Sequence, residues 1–172
     1  MTTVTPARLT VRRVRPPDAA RVRALRLEML ADSPLAYLET LADAAARPHD
    51  EYRARIALMS TGDERGQFVA ERDGRLVAHA GGLRWPERPN TTVVFAVYVT
   101  PACRGTGVLG ELVEEVAAWS RAAGRHRLLL EVVTGNERAV RAYRRLGFAD
   151  SGERVPHPTI PVLTEMRMYR RA

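Results

Sequence analysis

The sequence of 172 residues has no lysine, a single cysteine and few aromatic side chains, which make up 6% of it. One cysteine, Cys103, excludes an internal disulfide bond and is typical of a reducing compartment, which predicts a cytoplasmic location. The absence of lysine excludes the Walker phosphate loop, whose lysine is obligatory. No apolar run approaches the roughly 18 residues of a membrane-spanning helix, so we predict no membrane association.

Other absences narrow the class of protein further. Residues 1–6 contain no apolar stretch, which predicts no secretory signal. No spaced cluster of histidine, cysteine and acidic side chains is present, and we therefore expect no metal. The net charge of +7 comes from arginines scattered along the whole chain. Compositional bias explains such a scatter, as does attraction of a polyanionic ligand, whereas the lack of a basic patch interleaved with aromatics disfavours nucleic acid.

What the sequence does contain is a mixed order of strands and helices. We predict strands at residues 8–15, 67–71, 76–83, 92–99, 128–133, 147–153 and 163–169, and helices beginning near Asp18, Ser33, Asp50, Val108 and Asn136. The length and the absence of a linker or repeat predict one domain over residues 1–172. This order defines a mixed α/β protein.

Three local patterns give sharper expectations. Residues 8–15 have the pattern of an edge strand, and Asp18 is predicted to cap the helix that follows. Apolar residues at helical spacing predict a second helix that opens at Ser33 and continues to Ala45; they are Leu35, Leu38, Leu41 and Ala45. The pair Asp73-Gly74 between two strands predicts a tight hairpin.

The region around residues 92–124 organises the rest of the chain. A buried strand is followed by a glycine-rich turn at residues 104–110 and by a helix that begins at Val108. Glycine allows backbone conformations closed to other residues, and the first turn of a helix leaves its amide groups without partners. Those amides lie at the positive end of the helix dipole, which is a geometry that binds phosphate.

Two families of proteins use such a turn. Gly105, Gly107 and Gly110 match the G-x-G-x-x-G of dinucleotide-binding folds, and Glu131 follows Gly110 by 21 residues, near the place of a ribose-binding acid. Against this alternative, five residues separate the strand from the turn, and only 62 residues follow Gly110. An NAD(P)-dependent oxidoreductase is therefore the less favoured interpretation.

The motifs downstream favour the other family. The chain matches V-x-P-x-x-[RQ]-G-x-G-[IV]-[GA] and, further on, N-x-x-A-x-x-x-Y-x-x-x-G-F, at Val99, Pro101, Arg104, Gly105, Gly107 and Val108, then Asn136, Ala139, Tyr143, Gly147 and Phe148. Over about 55 residues the sequence thus resembles the GNAT family of acetyl-CoA-dependent N-acetyltransferases. Leu109 departs from the small residue usual at its position, and we expect the cofactor to bind there through a backbone amide that Leu109 leaves free.

The resemblance implies a central mixed sheet of six to seven strands flanked by helices, with the fourth and fifth strands splayed around acetyl-CoA. It also implies which residues bind this cofactor: the backbone of Val97, Tyr98 and Val99 beside the pantetheine arm, the turn Arg104, Gly105, Thr106, Gly107, Val108, Leu109 and Gly110 around the phosphates, and Asn136 and Tyr143 nearby. The amide of Val99 would lie near the thioester oxygen, where a preorganised donor contributes about 3 kcal/mol.

Two side chains are candidates for proton transfer. Tyrosine titrates near pH 10 and so holds a proton that a leaving thiolate can take, which makes Tyr143 the predicted general acid. Its helical spacing also fits a core aromatic, next to Leu146. Glu131 lies in an otherwise apolar strand, where a carboxylate is either ion-paired or electrostatically perturbed, as at functional sites. The resemblance makes it a general base; a structural ion pair is the alternative.

The resemblance as a whole implies an N-acetyltransferase that acts on a primary amine by direct attack through a tetrahedral intermediate. The acceptor is a small-molecule amine or a protein N-terminus, and the oligomeric state stays open, a homodimer included. A non-catalytic acyl-CoA-binding module is the alternative, supported only by Leu109. Weaker candidates for the acceptor site are His157, Tyr37 and Glu39, each equally compatible with an ordinary packing role.

Overall fold

The fold is built on one seven-stranded sheet, seen here in a computed structural model that describes residues 9–172. Its strands are β1 (Leu9–Arg13), β2 (Arg65–Arg72), β3 (Arg75–Arg84), β4 (Thr91–Val99), β5 (Arg127–Val133), β6 (Ala149–Pro156) and β7 (Thr164–Arg171). They lie in the order β1-β2-β3-β4-β5-β7-β6. Only β4 and β5 are parallel; the other neighbours are antiparallel. This confirms the mixed α/β class with six to seven strands.

Five helices flank the sheet: α1 (Ala19–Asp32), α2 (Leu41–Ala46), α3 (His49–Met59), α4 (Val108–Ala122) and α5 (Glu137–Arg145). Helices α4 and α5 pack on one face, where Val116 and Val140 join Leu130 in a single buried cluster. Helices α1 and α3 cover the other face around Val69 and Tyr98. The sheet is therefore covered by helices on both faces, and a ligand would have to enter through an edge or a gap between strands.

Helix α4 follows from the spacing of its apolar residues. The side chains at Val108, Leu112, Val113, Val116 and Ala117 are all buried and form one face of the helix. That face lies on the cluster shared with β4 and β5. Because the helix is fixed along its length, its N-terminal turn is held rigidly at the end of β4.

The start of the chain corrects one prediction. Strand β1 lies at the edge of the sheet as predicted, while Arg8 and residues 1–6 fall outside the described residues. Asp18 does precede α1, but its carboxylate makes no capping bond to that helix. It accepts hydrogen bonds from Arg12 and Arg21 and from the amide of Arg15 instead. These bonds lower the pKa of Asp18 to about 2, although burial of the carboxyl opposes them.

The helix predicted from Ser33 to Ala45 is wrong. The chain forms a single 3₁₀ turn at Pro34–Ala36, extended backbone at Tyr37, and the separate short helix α2. Helix α2 is capped by Thr40, whose hydroxyl accepts a hydrogen bond from the amide of Asp43 at 3.1 Å. The apolar residues used for the prediction are exposed: Leu35 by 66%, Leu38 by 60% and Leu41 by 41%. Their spacing therefore did not represent a buried helical face.

The predicted hairpin between β2 and β3 is confirmed. Asp73 and Gly74 have positive φ values of 51° and 75°. A two-residue type I′ turn requires a positive φ at both of its central residues. Within residues 9–172, no helix has the length and apolarity needed to cross a lipid bilayer.

Candidate active site

A gap in the sheet separates β4 from β5. The two strands pair only from Thr91 to Val94 on β4 and from Arg127 to Leu130 on β5. Beyond this point β4 contains a bulge, because the two residues Ala96 and Val97 lie opposite the single residue Ala80 of β3. Ala96 adopts a φ of 50°, a conformation uncommon for a residue other than glycine. The bulge turns β4 away from β5, and the predicted splaying of the fourth and fifth strands is thus present.

The peptide groups of β4 alternate between the gap and β3. The amide of Thr100 donates to Val77 of β3 at 2.8 Å, so Thr100 and Tyr98 face β3 while Val97 and Val99 face the gap. The carbonyl oxygens of Val97 and Val99 already accept bonds, from the Tyr37 hydroxyl at 2.8 Å and from Arg104 Nε at 3.0 Å. The amide groups of Val97 and Val99 are what β4 offers to a ligand.

Tyr98 differs in this respect from its two neighbours. Its peptide group serves the β3–β4 pairing, and its ring is buried in the cluster on the α1 face. Its hydroxyl donates to Glu28 at 3.3 Å. Burial raises the pKa of Tyr98 to about 12, and the negative charges of Glu28 and Asp32 add to the effect. Tyr98 therefore holds β4 against β3 and the α1 face of the sheet, beside the gap.

The glycine-rich turn presents a row of free amides. Among residues 9–172 none accepts a hydrogen bond from the amides of residues 105–110. Gly105 and Gly107 have φ values of 74° and 89°, and open space surrounds the position that a Cβ atom would occupy at either residue. Thr106 fixes the turn by donating its hydroxyl to the Cys103 carbonyl at 2.6 Å. Gly107 then precedes α4, so the amides of the turn converge at the positive end of a helix dipole.

Arg104 anchors this turn from behind. Its guanidinium donates to the Val99 carbonyl and to Asp32 at 2.5 Å, and it stacks over the Tyr98 ring with 5.7 Å between guanidinium carbon and ring centroid. The guanidinium is thus committed to protein partners. The backbone after Arg104 therefore supplies the hydrogen-bond donors of the turn.

Leu109 occupies the position where the sequence departs from the family motif. Its side chain packs against the core cluster on the α4 face. It consequently leaves its own amide at the surface of the turn. The next residue, Gly110, lies against Leu146, with 3.4 Å from the position of a Cβ atom to that side chain. The start of α4 is therefore packed against the end of α5.

Tyr143 lies on α5 at the side of the gap. Its ring meets Phe148 edge-on, with 5.9 Å between centroids. Burial alone raises the pKa of Tyr143 to about 12. Its hydroxyl has no hydrogen-bond partner among residues 9–172, and it lies close enough to Tyr37 to raise the pKa of that phenol, which burial already raises strongly. Two protonated phenols therefore flank the end of β4.

Asn136 and Glu131 occupy the facing side of the gap. Asn136 caps α5 as predicted, its side-chain oxygen accepting the Ala139 amide at 3.2 Å. Glu131 is exposed on β5 and accepts a hydrogen bond from Arg167 Nε at 2.8 Å. Arg167 also contacts Glu153, at 3.1 Å. The ion pair that the sequence left open as one alternative for Glu131 is present.

Sequence reasoning did not single out Glu165 on β7. It is half-buried, and burial together with the charge of Glu131 raises the pKa of its carboxyl. The sequence does contain a pattern that could have indicated Glu165, namely the alternation of side chains along β7. Met166 and Met168 face the core, and Glu165 and Arg167 face the other side. Of the weaker candidates, Glu39 is held by Arg26 and Arg47. The single cysteine, Cys103, is buried.

With this geometry in place, comparison with known proteins identifies the class. The profile of the acetyltransferase (GNAT) family matches residues 28–148, and the chain belongs to that family. Its sheet, antiparallel except for one pair, also differs from the parallel sheet of the dinucleotide-binding alternative.

Relatives with sequence similarity cover part of the chain. An uncharacterized N-acetyltransferase of Mycobacterium tuberculosis is 34% identical over 101 residues, 59% of this chain and 64% of the relative. An IAA acetyltransferase of Azospirillum brasilense is 32% identical over 95 residues, 55% of this chain and 61% of the relative. The matches thus span less than two thirds of the relatives.

Solved structures share the fold over nearly the whole chain. A GNAT-family acetyltransferase of Streptococcus pneumoniae has a TM-score of 0.79 at 20% identity, covering 95% of this chain and 99% of that one. An acetyltransferase of Salmonella typhimurium, solved with its cofactor acetyl-CoA, has a TM-score of 0.77 at 19% identity, covering 95% and 94%. At these identities the likeness concerns the fold.

Proposed function

We propose that this protein transfers an acetyl group from acetyl-CoA to a primary amine. The observation that carries the proposal is the row of free amides at residues 105–110, positioned at the end of a strand that has separated from its neighbour. A diphosphate needs several convergent amide donors, and an extended pantetheine arm needs a strand edge with free amides. The acetyl-CoA bound to the Salmonella relative of the same fold supports this choice of ligand.

The proposed cofactor site uses backbone groups almost throughout. Residues 105–110 would hold the diphosphate, and Val97 and Val99 would donate to the pantetheine arm and the thioester oxygen. Asn136, which caps α5, would contact the arm from the other side of the gap. Open space at Gly105 and Gly107 fits a group that approaches the backbone closely. Acetyl-CoA supplies the reaction with an acetyl thioester.

Tyr143 is the proposed general acid. Its raised pKa keeps the phenol protonated throughout the physiological range. A phenol with no internal hydrogen-bond partner is free to donate its proton to a leaving sulfur. The proton that the neutral amine loses as the C–N bond forms goes to Glu131 or to an ordered water. The acceptor is a small-molecule amine or a protein N-terminus, and we place the enzyme, as a single domain, in the cytoplasm.

The experiment that tests this proposal combines binding with turnover. Calorimetry with acetyl-CoA measures cofactor affinity, and release of free thiol in the presence of a panel of primary amines measures transfer. We expect acetyl-CoA to bind in the micromolar range and at least one amine to accelerate thiol release. Binding without transfer to any amine would favour the acyl-CoA-binding module, while binding of NAD in place of acetyl-CoA would overturn the assignment.

A Gly107→Val variant tests the role of the glycine-rich turn in cofactor binding. A β-branched side chain at a φ of 89° strains the turn and fills the space left for the diphosphate. We expect acetyl-CoA affinity to fall at least tenfold. Gly62→Val serves as its control, since Gly62 has a similar φ of 72° and equally open surroundings but lies outside the turn. Equal losses of affinity in the two variants would contradict a role for the turn.

A further inference from the structure

Glu165 lies at the open end of the gap. On β7 it pairs in register with Val133, the last residue of β5, and with Val155 of β6. Strand β5 has β4 as a neighbour only as far as Leu130, so Val133 borders the gap. The side chain of Glu165 projects away from Met166, which packs in the cluster with α4. It therefore lies on the sheet face opposite the helix whose N-terminus carries the phosphate turn.

Glu165 differs from the neighbouring acids in its ion pairing. The two neighbouring acids, Glu131 and Glu153, are both bound by Arg167. Among residues 9–172 no basic side chain forms an ion pair or hydrogen bond with Glu165, although Arg167 and His157 are close enough to influence it electrostatically. A half-buried carboxylate without a paired cation carries a desolvation cost. A cationic substrate would relieve it.

His157 lies two residues beyond Val155, the residue of β6 that pairs with Glu165. It follows β6 by one residue and is 4% exposed. Its Nδ1 accepts the amides of Thr159 at 3.2 Å and Ile160 at 3.1 Å, and the loop is closed by a bond from its own amide to Leu163 at 3.0 Å. A ring nitrogen that accepts two bonds carries no proton, so the neutral ring carries its proton on Nε2. No residue among 9–172 accepts a hydrogen bond from Nε2.

We infer that Glu165 and His157 form the subsite for the acceptor amine. The inference rests on the proposed acetyl transfer and deepens it. Glu165 binds the ammonium group, and His157 Nε2–H donates to an oxygen carried by the acceptor next to its amine. The class of acceptor is thus a primary amine with a neighbouring carbonyl or hydroxyl oxygen.

The reaction conserves its protons. The ammonium gives one proton to the Glu165 carboxylate, and the freed amine forms the C–N bond. The C–S bond breaks, and Tyr143 gives its hydroxyl proton to the sulfur. The second amine proton returns to the Tyr143 oxygen through water, and Glu165 releases its proton to solvent. One acetamide, one thiol and one solvent proton result from one ammonium and one thioester.

The first experiment compares three carboxylates. Steady-state kinetics are measured for wild type, Glu165→Gln, Glu131→Gln and Glu153→Gln with glycinamide and with ethylamine as probes, alongside acetyl-CoA calorimetry and thermal unfolding. We expect Glu165→Gln to lower kcat/KM for the amine about a hundredfold, with acetyl-CoA affinity unchanged. Glu153→Gln, the matched control on β6, stays within threefold of wild type.

The pH profile adds a readout that a purely structural role would not change. Glu165 has to be ionised to bind the ammonium, so kcat/KM of wild type rises with pH on the acid side, and this limb disappears in Glu165→Gln. Glu131 and Arg167 face Glu165 from β5 and β7, and His157 faces it from the loop. Loss of the limb in Glu131→Gln with its retention in Glu165→Gln would overturn the assignment.

The second experiment isolates His157. In His157→Asn the side-chain oxygen replaces Nδ1 as acceptor for the loop amides, while the Nε2–H donor is removed. We expect kcat/KM for glycinamide to fall about tenfold and that for ethylamine to stay within twofold, because ethylamine carries no oxygen to accept the His157 hydrogen bond. Equal losses for both amines would overturn the donor role. A wild-type protein that acetylates no amine would overturn the proposed function together with this inference, whereas full activity of Glu165→Gln would overturn the inference alone.

Discussion

The chemistry proposed here depends most directly on the phenol of Tyr143. In Tyr143→Phe the ring and its edge contact with Phe148 remain, and only the donated proton is lost. We expect kcat to fall about a hundredfold or more, with acetyl-CoA affinity within threefold of wild type. Because burial raises the pKa of this phenol to about 12, wild-type activity should show no loss from its ionisation up to pH 10. Unchanged kcat with chemistry rate-limiting would remove Tyr143 from the mechanism.

A buried histidine should make stability depend on pH. His79 on β3 is 1% exposed, with neither ring nitrogen bonded among residues 9–172, and Arg26 and Arg55 lie nearby. Burial, with these two charges, lowers the pKa of His79 to about 3. Between this value and the unfolded pKa of about 6.5, the unfolded chain binds the extra proton, so the stabilising contribution is lost as the pH falls.

The test is denaturant unfolding between pH 7 and pH 4. We expect wild type to lose up to about 1.4 kcal/mol per pH unit through this group, in addition to losses shared with other residues. His79→Leu should lack that part of the slope, since leucine does not titrate. Identical slopes in wild type and variant would contradict a neutral buried His79.

Gly82 on β3 shows how closely the sheet approaches α4. A Cβ atom there would lie 2.7 Å from Trp119 and 3.3 Å from Thr92. The Trp119 ring is held between Phe68 and the Arg125 guanidinium, at 5.8 Å and 4.6 Å. We expect Gly82→Ala to lower the free energy of unfolding by about 1–3 kcal/mol in chemical denaturation.

The control for Gly82→Ala is a glycine of helix α4, the helix that packs on this face of the sheet. Gly110 lies within helix α4, and a Cβ atom there would make an ordinary contact of 3.4 Å with the Leu146 side chain. Alanine favours a helix over glycine by up to about 1 kcal/mol, so Gly110→Ala should unfold at the same or higher denaturant concentration. Destabilisation of both variants to the same extent would show that the crowding at Trp119 is not the cause.

Single residues of the site were predictable where local geometry sets their role. The sequence correctly placed the free amides after Arg104 and the cap at Asn136, because a helix start and a capping oxygen depend on neighbouring residues. It did not reveal that the Arg104 side chain serves Asp32 and Val99, since Asp32 is 72 residues away. The choice of Glu165 as the proposed acceptor-binding acid depends on which carboxylates Arg167 pairs with, and this is a property of the folded sheet.

At the level of elements, the bulge in β4 is the feature that creates the gap. Ala96 holds a φ of 50°, which costs an L-residue about 1 kcal/mol, and more for a β-branched one. We expect Ala96→Gly to keep or raise the melting temperature and Ala96→Val to lower it by several degrees. If the two substitutions have the same effect in calorimetry, backbone strain at this position is not part of the fold.

Elements were predictable where periodicity was strong and unpredictable where distant contacts decide. Helix α4 and the hairpin at Asp73-Gly74 matched their patterns. The stretch at residues 33–45 did not form one helix, because the Tyr37 hydroxyl is bonded to Val97, 60 residues away, and holds the chain extended between two short helical segments. Exposed leucines at helical spacing have the same sequence pattern as the buried face of a helix. The sequence alone does not distinguish exposed leucines from buried ones.

On the scale of the whole molecule, the sheet separates the two proposed binding regions. The glycine-rich turn at residues 105–110 lies on the α4 side, and Glu165 lies on the opposite face, with the gap between β4 and β5 connecting the two sides. The strand order, with β7 between β5 and β6, brings Glu165 to the gap. Nothing in the linear sequence specifies that order, and the resemblance supplied only the splaying of two strands.

The most direct test of this account is a crystal structure of the protein with acetyl-CoA bound. We predict that the diphosphate accepts hydrogen bonds from the amides of residues 105–110, that the pantetheine arm passes between β4 and β5, and that the sulfur lies within reach of the Tyr143 hydroxyl. A structure with acetyl-CoA bound elsewhere, or with β4 and β5 paired through Val99 and Glu131, would contradict it.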